Sequence, residues 1–233
     1  MYELADAAGG DTAEWIFGMS MKLQPHDLLR LDEARLKQIV VPEDAGCAEA
    51  VERCLRRTPF VVVRRVPMRD GMVAVGVRGE SRSERFAAWV VMDGIREVRT
   101  PESLRSSGVV RDLPALAALR EMERRWESSG WVWGPVGSVG FEIASGVQVV
   151  TGTSDLDMIV RADERMPFEL LRKIGDGCCD LPCRADVQVE TPWGGFALLE
   201  ALQRPVRLLL RTCSGPMLVE DPWCEPQAVA ITA

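Results

Sequence analysis

The sequence TSDLDMIV at residues 153–160 predicts a strand that begins at Leu156 and carries two acids at its start. Alternate strand residues point to the same face, so Asp155 and Asp157 present their carboxylates side by side, while Leu156 and Met158 face a core. Two neighbouring like charges repel unless a cation compensates them, and carboxylate oxygens suit Mg²⁺. An isolated Asp-x-Asp is more commonly a solvated strand edge, so a metal site needs support from further residues.

A third carboxylate lies on the strand predicted at residues 185–189, where apolar neighbours flank Asp186. Three acids on neighbouring strands can hold two metal ions for phosphoryl or nucleotidyl transfer. We therefore expect Asp155, Asp157 and Asp186 to be the catalytic and metal-binding residues of a two-metal Mg²⁺ site.

A turn between a strand and a helix supplies the expected phosphate cradle. Gly137-Ser138 follows the strand predicted at residues 131–136 and opens the helix predicted at residues 139–144, which ends at Gly146. Backbone N–H groups at such a turn bind anions, aided by the positive end of the helix dipole. Gly137 lets a phosphate approach the backbone, and the Ser138 hydroxyl can donate to it. On its own, a Gly-Ser pair before a helix is usually only a turn.

The second half of the chain predicts a small α/β domain, because its elements follow the order β-α-β-α-β. A further strand is expected at residues 156–160 and a further helix at residues 168–174. The helix before them has apolar residues at helical spacing up to Trp126, with Pro114 in its first turn and Asp112 as its expected cap.

The first half predicts a β-rich domain. Strands are expected at residues 59–63 and 72–77, and Asp70-Gly71 tolerates the positive φ of a tight hairpin. Leucines within residues 26–37 favour a helix. The expected fold class is α/β (α+β), with an extension at residues 1–22, an N-terminal domain at 23–99, a linker at 100–112 and a second domain with a mixed sheet at 113–233.

Composition and charge exclude several classes of protein. The chain has 233 residues, 47% hydrophobic and 27% charged, which is typical of a globular protein. No apolar run is long enough to span a bilayer, and the acidic first residues lead us to expect no signal peptide. Seven cysteines, an odd number, favour a reducing cytoplasm. The net charge of −7 argues against nucleic-acid binding, so we expect neither a membrane nor a nucleic-acid partner.

Arginines are concentrated in the first half. The chain has 25 arginines against 3 lysines, and genome composition is a sufficient general explanation. Within residues 53–85, however, nine arginines face three acids, a local charge of +6. Some of them are expected to bind substrate phosphates or an acidic protein partner, although a solvated surface is as good an interpretation for any single one.

The ordered series of motifs resembles one enzyme family. Gly-Ser, Asp-x-Asp and a later strand Asp resemble the nucleotidyltransferase superfamily of the DNA polymerase β type, with an unusually long gap between Ser138 and Asp155. The finer pattern resembles the malonate decarboxylase holo-acyl-carrier-protein synthases, which are phosphoribosyl-dephospho-CoA transferases. The motifs of this finer pattern are HDLL at 26–29, Arg64-Arg65, GVRG at 76–79, WGPVGS at 133–138, Phe141-Glu142 and SDLD at 154–157. Arg30 and Val136 depart from that pattern and leave the expected metal site intact.

The resemblance implies a function for each domain. A C-terminal nucleotidyltransferase palm would follow an N-terminal domain that binds substrate and carrier. The enzyme would transfer the phosphoribosyl-dephospho-CoA group of 2′-(5″-triphosphoribosyl)-3′-dephospho-CoA to a serine of the apo acyl-carrier subunit of malonate decarboxylase, releasing pyrophosphate. Gly137, Ser138, Arg65 and Arg78 would bind substrate phosphates.

Two other functions remain open on the residues alone. The first is transfer of a nucleoside monophosphate from a nucleoside triphosphate to a small molecule or protein, and the second is a non-catalytic carrier-binding protein. A citrate lyase carrier is as compatible with the residues as a malonate decarboxylase carrier. His26, the only histidine, is expected to be structural, and the irregular spacing of Cys178, Cys179 and Cys183 does not favour zinc.

Overall fold

Two β-sheets, one in each half of the chain, form the frame of the protein. The computed structural model describes residues 22–42, 46–79, 84–108 and 111–226, so the extension expected at residues 1–22 lies almost wholly outside the described residues. The first sheet is antiparallel throughout, and the second is mixed because only one of its strand pairs is parallel. Helices and two sheets, one of them mixed, confirm the α/β prediction.

The first sheet has five strands in the order β4-β3-β2-β1-β5. Helix α1 and a short 3-10 helix (Glu33–Gln38) accompany it. The bounds are β1 Leu28–Leu31, α1 Ala48–Arg57, β2 Phe60–Val63, β3 Met72–Arg78, β4 Arg85–Val91 and β5 Ile95–Arg99. One face of this sheet packs on α1 around a core that includes Leu29, Val61 and Val75.

The second sheet has six strands in the order β11-β10-β9-β8-β7-β6. Its strands are β6 Val132–Pro135, β7 Leu156–Arg161, β8 Ala185–Thr191, β9 Gly194–Ala197, β10 Leu208–Thr212 and β11 Gly215–Val219. Its helices are α2 Pro114–Trp126, α3 Gly137–Ser145, α4 Phe168–Gly177 and α5 Leu198–Leu202. The largest core of the protein packs between this sheet and its helices.

Most of the predicted elements are confirmed. The strands and helices expected between residues 113 and 189 lie where the sequence places them, and Gly146 ends α3 in the left-handed region with φ 73°. Asp70 and Gly71 have positive φ values of 51° and 71° in the turn before β3. The expectation that Asp112 caps α2 is wrong, because Leu113 is the N-cap residue and the cap has no side-chain hydrogen bond.

The helix expected at residues 26–37 is wrong in its first half, whereas residues 33–37 lie in the 3-10 helix Glu33–Gln38. Residues Leu28–Leu31 form strand β1, which pairs with β2 on one side and β5 on the other. Both faces of this strand are covered: Leu29 faces the core of the first half, whereas Leu28 faces the second half. Consecutive leucines therefore mark a strand buried on both faces, a pattern that resembles helical spacing.

The two halves pack directly against each other. Leu28 and Phe60 from the first sheet contact Leu104, Phe141 and Ala144 in one buried cluster. The segment at residues 100–112, expected to be a linker, begins with a 3-10 helix (Pro101–Ser103) that lies against β6. A Cβ at Gly134 would collide with the Pro101 carbonyl, so this approach requires glycine.

Within the described residues, none of the helices has both the length and the apolar character needed to cross a membrane.

Candidate active site

Strand β7 presents Asp155 and Asp157 at its beginning. Leu156 and Met158 are 0% and 1% exposed, which confirms that they face the core. The two aspartates are half-buried and line the same cavity between the halves of the protein. The alternation of the strand therefore places both carboxylates at one wall, as the sequence predicts.

The Gly137-Ser138 turn lies against the same strand. Only Val136 separates Gly137 from β6, and Gly137 has a φ of 61° and is the first residue of α3. A Cβ at this position would collide with the Asp157 carboxylate. The Val136 amide also donates to the Asp157 carbonyl over 2.9 Å. Glycine is thus required here both by the backbone conformation and by the closeness of Asp157.

The cavity, called the aspartate cavity below, has a volume of about 510 Å³. Its wall in the second half is formed by α3, β7 and the loop that joins them. Its wall in the first half is formed by α1 and by the ends of β3 and β4. The second-half wall includes Gly137, Ser138, Phe141, Thr153, Ser154, Asp155 and Asp157, and the first-half wall includes Cys54, Arg57, Thr58, Arg78, Gly79 and Arg85.

Two of the arginines on the first-half wall are cross-strand neighbours. Arg78 on β3 lies directly opposite Arg85 on β4, so both side chains extend from the same face of the sheet. The Arg78 guanidinium lies 5.6 Å from the centre of the Phe141 ring of α3. Two guanidinium groups on one face of a sheet can both donate to an anion with several oxygens, such as a phosphate.

The loop between α3 and β7 is held by Glu142. This buried carboxylate accepts hydrogen bonds from the Val149 and Val150 amides at 2.7 Å each and from Arg111 at 2.6 Å. Burial opposes ionisation of Glu142, but these donors outweigh it and lower its pKa. Because the loop leads directly into Asp155, Glu142 fixes the approach to β7.

Asp186 lies beside Asp157 in the parallel pairing of β7 and β8. It is exposed, and its nearest ion-pair partner is Arg184 at 4.0 Å. Across the described part of the chain, no group of three or more His, Cys, Asp or Glu side chains is placed to hold a metal ion. Asp155 and Asp157, as paired carboxylates on one cavity wall, nevertheless fit the oxygen preference of Mg²⁺.

Arg65 lies deeper in the contact between the halves. Its guanidinium contacts both Glu190 carboxylate oxygens, at 2.6 and 2.7 Å, and His26 lies 3.3 Å from the same carboxylate. Gln188 donates to Glu190 and accepts from Arg211 at 2.9 Å. Arg65 does not line the aspartate cavity, but it lines the neighbouring one, which contains Arg78 as well.

Two acids at this contact have shifted pKa values of opposite direction. Burial disfavours the charged form of Glu190, but the hydrogen bond with His26 and the charge of Arg65 outweigh it and lower its pKa to about 2. Burial raises the pKa of Asp27 to about 6, against the hydrogen bond from Gln24 and the charge of Arg161. The halves therefore meet around one firmly ionised acid and one that is easily protonated.

The sequence gives only weak signals for several of these residues. Glu142 belongs to a motif of the resemblance, but its role as a loop anchor depends on Arg111, which is distant in sequence. The apolar neighbours of Glu142 on α3 could have indicated a buried acid. Arg85 becomes prominent only once the register of β3 and β4 places it opposite Arg78.

Comparison with known protein families gives matches along nearly all of the described chain. Residues 24–101 match the "Phosphoribosyl-dephospho-CoA transferase MdcG N-terminal domain", and residues 103–222 match the corresponding C-terminal domain.

Curated proteins named phosphoribosyl-dephospho-CoA transferase are similar to this chain over most of their length. The one from Azotobacter vinelandii is 39% identical over 215 residues, which cover 88% of this chain and 96% of that protein. The one from Pseudomonas aeruginosa is 38% identical over 205 residues, 86% of this chain and 93% of that protein. The one from Pseudomonas putida strain W619 is 40% identical over 200 residues, 86% and 95% respectively. No solved structure matches the chain.

Proposed function

This chain belongs to the phosphoribosyl-dephospho-CoA transferase family, and we propose that it modifies the apo acyl-carrier subunit of malonate decarboxylase. The donor is 2′-(5″-triphosphoribosyl)-3′-dephospho-CoA, the acceptor is a serine hydroxyl of the carrier, and pyrophosphate is released. The reaction is of the nucleotidyltransferase type, because a phosphorus atom inside a triphosphate is transferred to a new oxygen.

The aspartate cavity carries this proposal. One wall has two carboxylates and a glycine turn at the start of a helix, and the other wall has three arginines from the first half. A triphosphate needs both features: donors and positive charge for its oxygens, and carboxylates that can bind a cation between them. A carrier protein can reach the cavity from the cleft between the two halves.

We assign the metal-binding role to Asp155 and Asp157, with Asp186, the neighbour of Asp157 in the sheet, as the third acid. A two-metal Mg²⁺ site would neutralise the charge of the triphosphate and lower the pKa of the attacking hydroxyl. The remaining contributions come from the chain itself, which binds the phosphates and orients the two reactants.

The bond changes are those of an in-line displacement. The carrier serine oxygen forms a bond to the α-phosphorus, the bond from that phosphorus to the bridging β-oxygen breaks, and the serine proton passes to solvent. Gly137 and Ser138 hold the leaving pyrophosphate at the start of α3, while Arg78 and Arg65 bind substrate phosphates from the first half. Positioning and charge neutralisation supply most of the rate in such reactions.

A cytoplasmic setting belongs to the same proposal. Its support is the odd number of cysteines, none of which is paired in a disulfide, and the carrier subunit would have to be present in the same compartment.

A transfer assay tests the proposed function. Purified protein is incubated with Mg²⁺, triphosphoribosyl-dephospho-CoA labelled in its adenosine, and apo carrier, and the carrier is analysed by intact mass. We expect a label on one serine that depends on Mg²⁺. An unlabelled carrier together with AMP transfer from ATP would instead establish a nucleotidyltransferase with another substrate.

A further inference from the structure

A second cavity, of about 620 Å³, continues from the aspartate cavity and is called the sheet cavity below. Four residues line both, so the two form one continuous cleft: Arg78, Arg85, Gly137 and Phe141. Its wall in the first half is the exposed face of the sheet, with Val62, Gly76 and Ala87. Its wall in the second half includes Gln188 and Arg211. Beyond the phosphate contact assigned to Arg65, the proposed function gives this extension of the cleft no role.

Gly76 in the interior of β3 has no explanation within the chain. Its pairing is regular on both sides, with Val62 on β2 and Ala87 on β4, so there is no bulge. Its φ does not lie in the left-handed region. A Cβ at this position would meet its nearest atoms, the Arg64 Cγ and the Val62 carbonyl, only at 3.9 Å. A Cβ would therefore fit, and a residue other than glycine would strengthen the strand.

Glycine in a strand interior without a bulge or a steric need often marks a place where a ligand approaches the backbone. The residue paired with Gly76 is Ala87, which is also small, and both are half-buried in the sheet cavity. Together they form a flat floor. At one end of this floor stand Arg78 and Arg85, and at the other end stands Arg64. A flat floor bordered by guanidinium groups suits a planar aromatic ring attached to phosphates.

We propose that the floor over Gly76 and Ala87 is a subsite for the adenine base of the substrate. This inference rests on the proposed function, because the substrate fixes which group can reach the floor. In triphosphoribosyl-dephospho-CoA, the triphosphoribosyl group is attached to the ribose of the adenosine. The adenosine is therefore the part of the dephospho-CoA nearest the triphosphate, and the sheet cavity is the continuation of the aspartate cavity.

The spacing along β3 agrees with this arrangement. Gly76 and Arg78 are two residues apart on one face, which is about 7 Å along a strand. A base over Gly76 therefore leaves room for a sugar before the guanidinium groups of Arg78 and Arg85. The pantetheine arm, which extends from the far side of the adenosine, would point away from the aspartate cavity.

Gly76→Val tests this subsite, because a Cβ at this position meets no protein atom closer than 3.9 Å, valine adds two methyl groups above the floor, and valine favours the strand. Calorimetry would measure binding of dephospho-CoA, 4′-phosphopantetheine and inorganic tripolyphosphate. We expect dephospho-CoA to bind at least about tenfold more weakly to the variant, and the other two probes to bind within about twofold of their wild-type affinity. Gly76→Ala should give a smaller loss, and both variants should melt at or above the wild-type temperature.

Met72→Val is the matched control, because it changes the same face of β3 at a residue outside both cavities. It should leave all three affinities unchanged. Unchanged dephospho-CoA affinity in a folded Gly76→Val protein would overturn the subsite, and so would an equal loss for 4′-phosphopantetheine. If the wild type labels the carrier and Gly76→Val binds dephospho-CoA normally, the subsite is refuted and the proposed function is not. A wild-type protein that never labels the carrier would refute the proposed function, whatever the variant binds.

Discussion

The Arg65 guanidinium lies 2.6 Å from the Glu190 carboxylate, and this pair connects the segment after β2 to the middle of the second sheet. Glu190 is 5% exposed and Arg65 is 17% exposed, so water screens the pair little. Its two members are 125 residues apart in sequence. The pair therefore ties the two walls of the cleft together and holds them in position.

Replacement of this acid should weaken the protein strongly. Glu190→Gln leaves the Arg65 charge buried without its counter-charge, a change that typically costs about 3–5 kcal/mol. Urea unfolding at pH 7 measures the loss. Glu52→Gln, which removes an exposed i,i+4 partner of Arg56, is the matched control and should have little effect. Equal stability of the two variants would show that the buried pair does not hold the halves.

Low pH should remove the same contribution of the Arg65–Glu190 pair to the free energy of unfolding. The pKa of Glu190 is about 2 in the folded protein against 4.5 for the free group, so its stabilisation is complete above pH 4.5. It is lost as the pH falls from 4.5 towards 2, and amounts to about 3 kcal/mol. The free energy of unfolding of the wild type and of Glu190→Gln, measured from pH 5 to pH 2, should therefore converge. If the two curves of unfolding free energy against pH stayed parallel, ionised Glu190 would not be the source of this stabilisation.

The ionisation of Asp27 should change stability with pH in the opposite direction, because Asp27 stabilises the fold when it is protonated. Its pKa is about 6 in the folded protein against 3.8 for the free group, so the folded state binds the proton more tightly. Its contribution is largest below pH 3.8 and is lost as the pH rises through 6. Asp27→Asn should flatten the stability curve between pH 4 and pH 6. A variant that kept the wild-type slope in this window would show that another group titrates there.

The two cavity aspartates should be needed for transfer and not for folding. Asp157→Asn keeps the shape of the side chain and removes its charge, and we expect carrier labelling to slow by about 100-fold or more with an unchanged melting temperature. Asp176→Asn, on the exposed face of α4 away from the cavity, is the control and should be fully active. Full activity of Asp157→Asn would favour a non-catalytic role for the cavity.

The arginines on the opposite wall should affect substrate binding. Arg85→Glu and Arg78→Glu place a negative charge beside the triphosphate, and each should raise KM by about tenfold or more while kcat falls less. Arg53→Glu makes the same change on the exposed surface of α1, outside the cavity, and should leave KM unchanged. If the three variants had the same KM, phosphate binding at Arg78 and Arg85 would be wrong.

The sequence predicted the local structure of the site more completely than its long-range contacts. Strand β7 and helix α3 could be predicted because alternation, helical spacing and Gly146 are local signals. Strand β1 could not, because Leu28 and Leu29 are buried by different partners on opposite faces. Whether a run of leucines forms a strand or a helix depends on the segments that pack against it, and the run itself does not indicate which segments those are.

Contacts between residues that are distant in the chain could not be predicted from the sequence either. Nothing near Arg65 indicates that its partner is Glu190, and nothing near Glu142 indicates Arg111. The sequence shows that residues 53–85 carry an excess of positive charge. Only the pairing of β3 with β4 shows that Arg78 and Arg85 share one face at the cleft. Arg65, expected at a phosphate, contacts Glu190 in this structure, and its part in substrate binding stays a prediction.

The central claim is a Mg²⁺-dependent displacement at the α-phosphorus of triphosphoribosyl-dephospho-CoA by a carrier serine. Its most direct test measures carrier labelling and released phosphates in the same reaction, for the wild type and for the Asp155→Asn, Asp157→Asn double variant. The account predicts one pyrophosphate for each carrier serine that gains a phosphoribosyl-dephospho-CoA group, and neither product with the double variant. Release of orthophosphate in place of pyrophosphate, or carrier labelling that persists in the double variant, would contradict it.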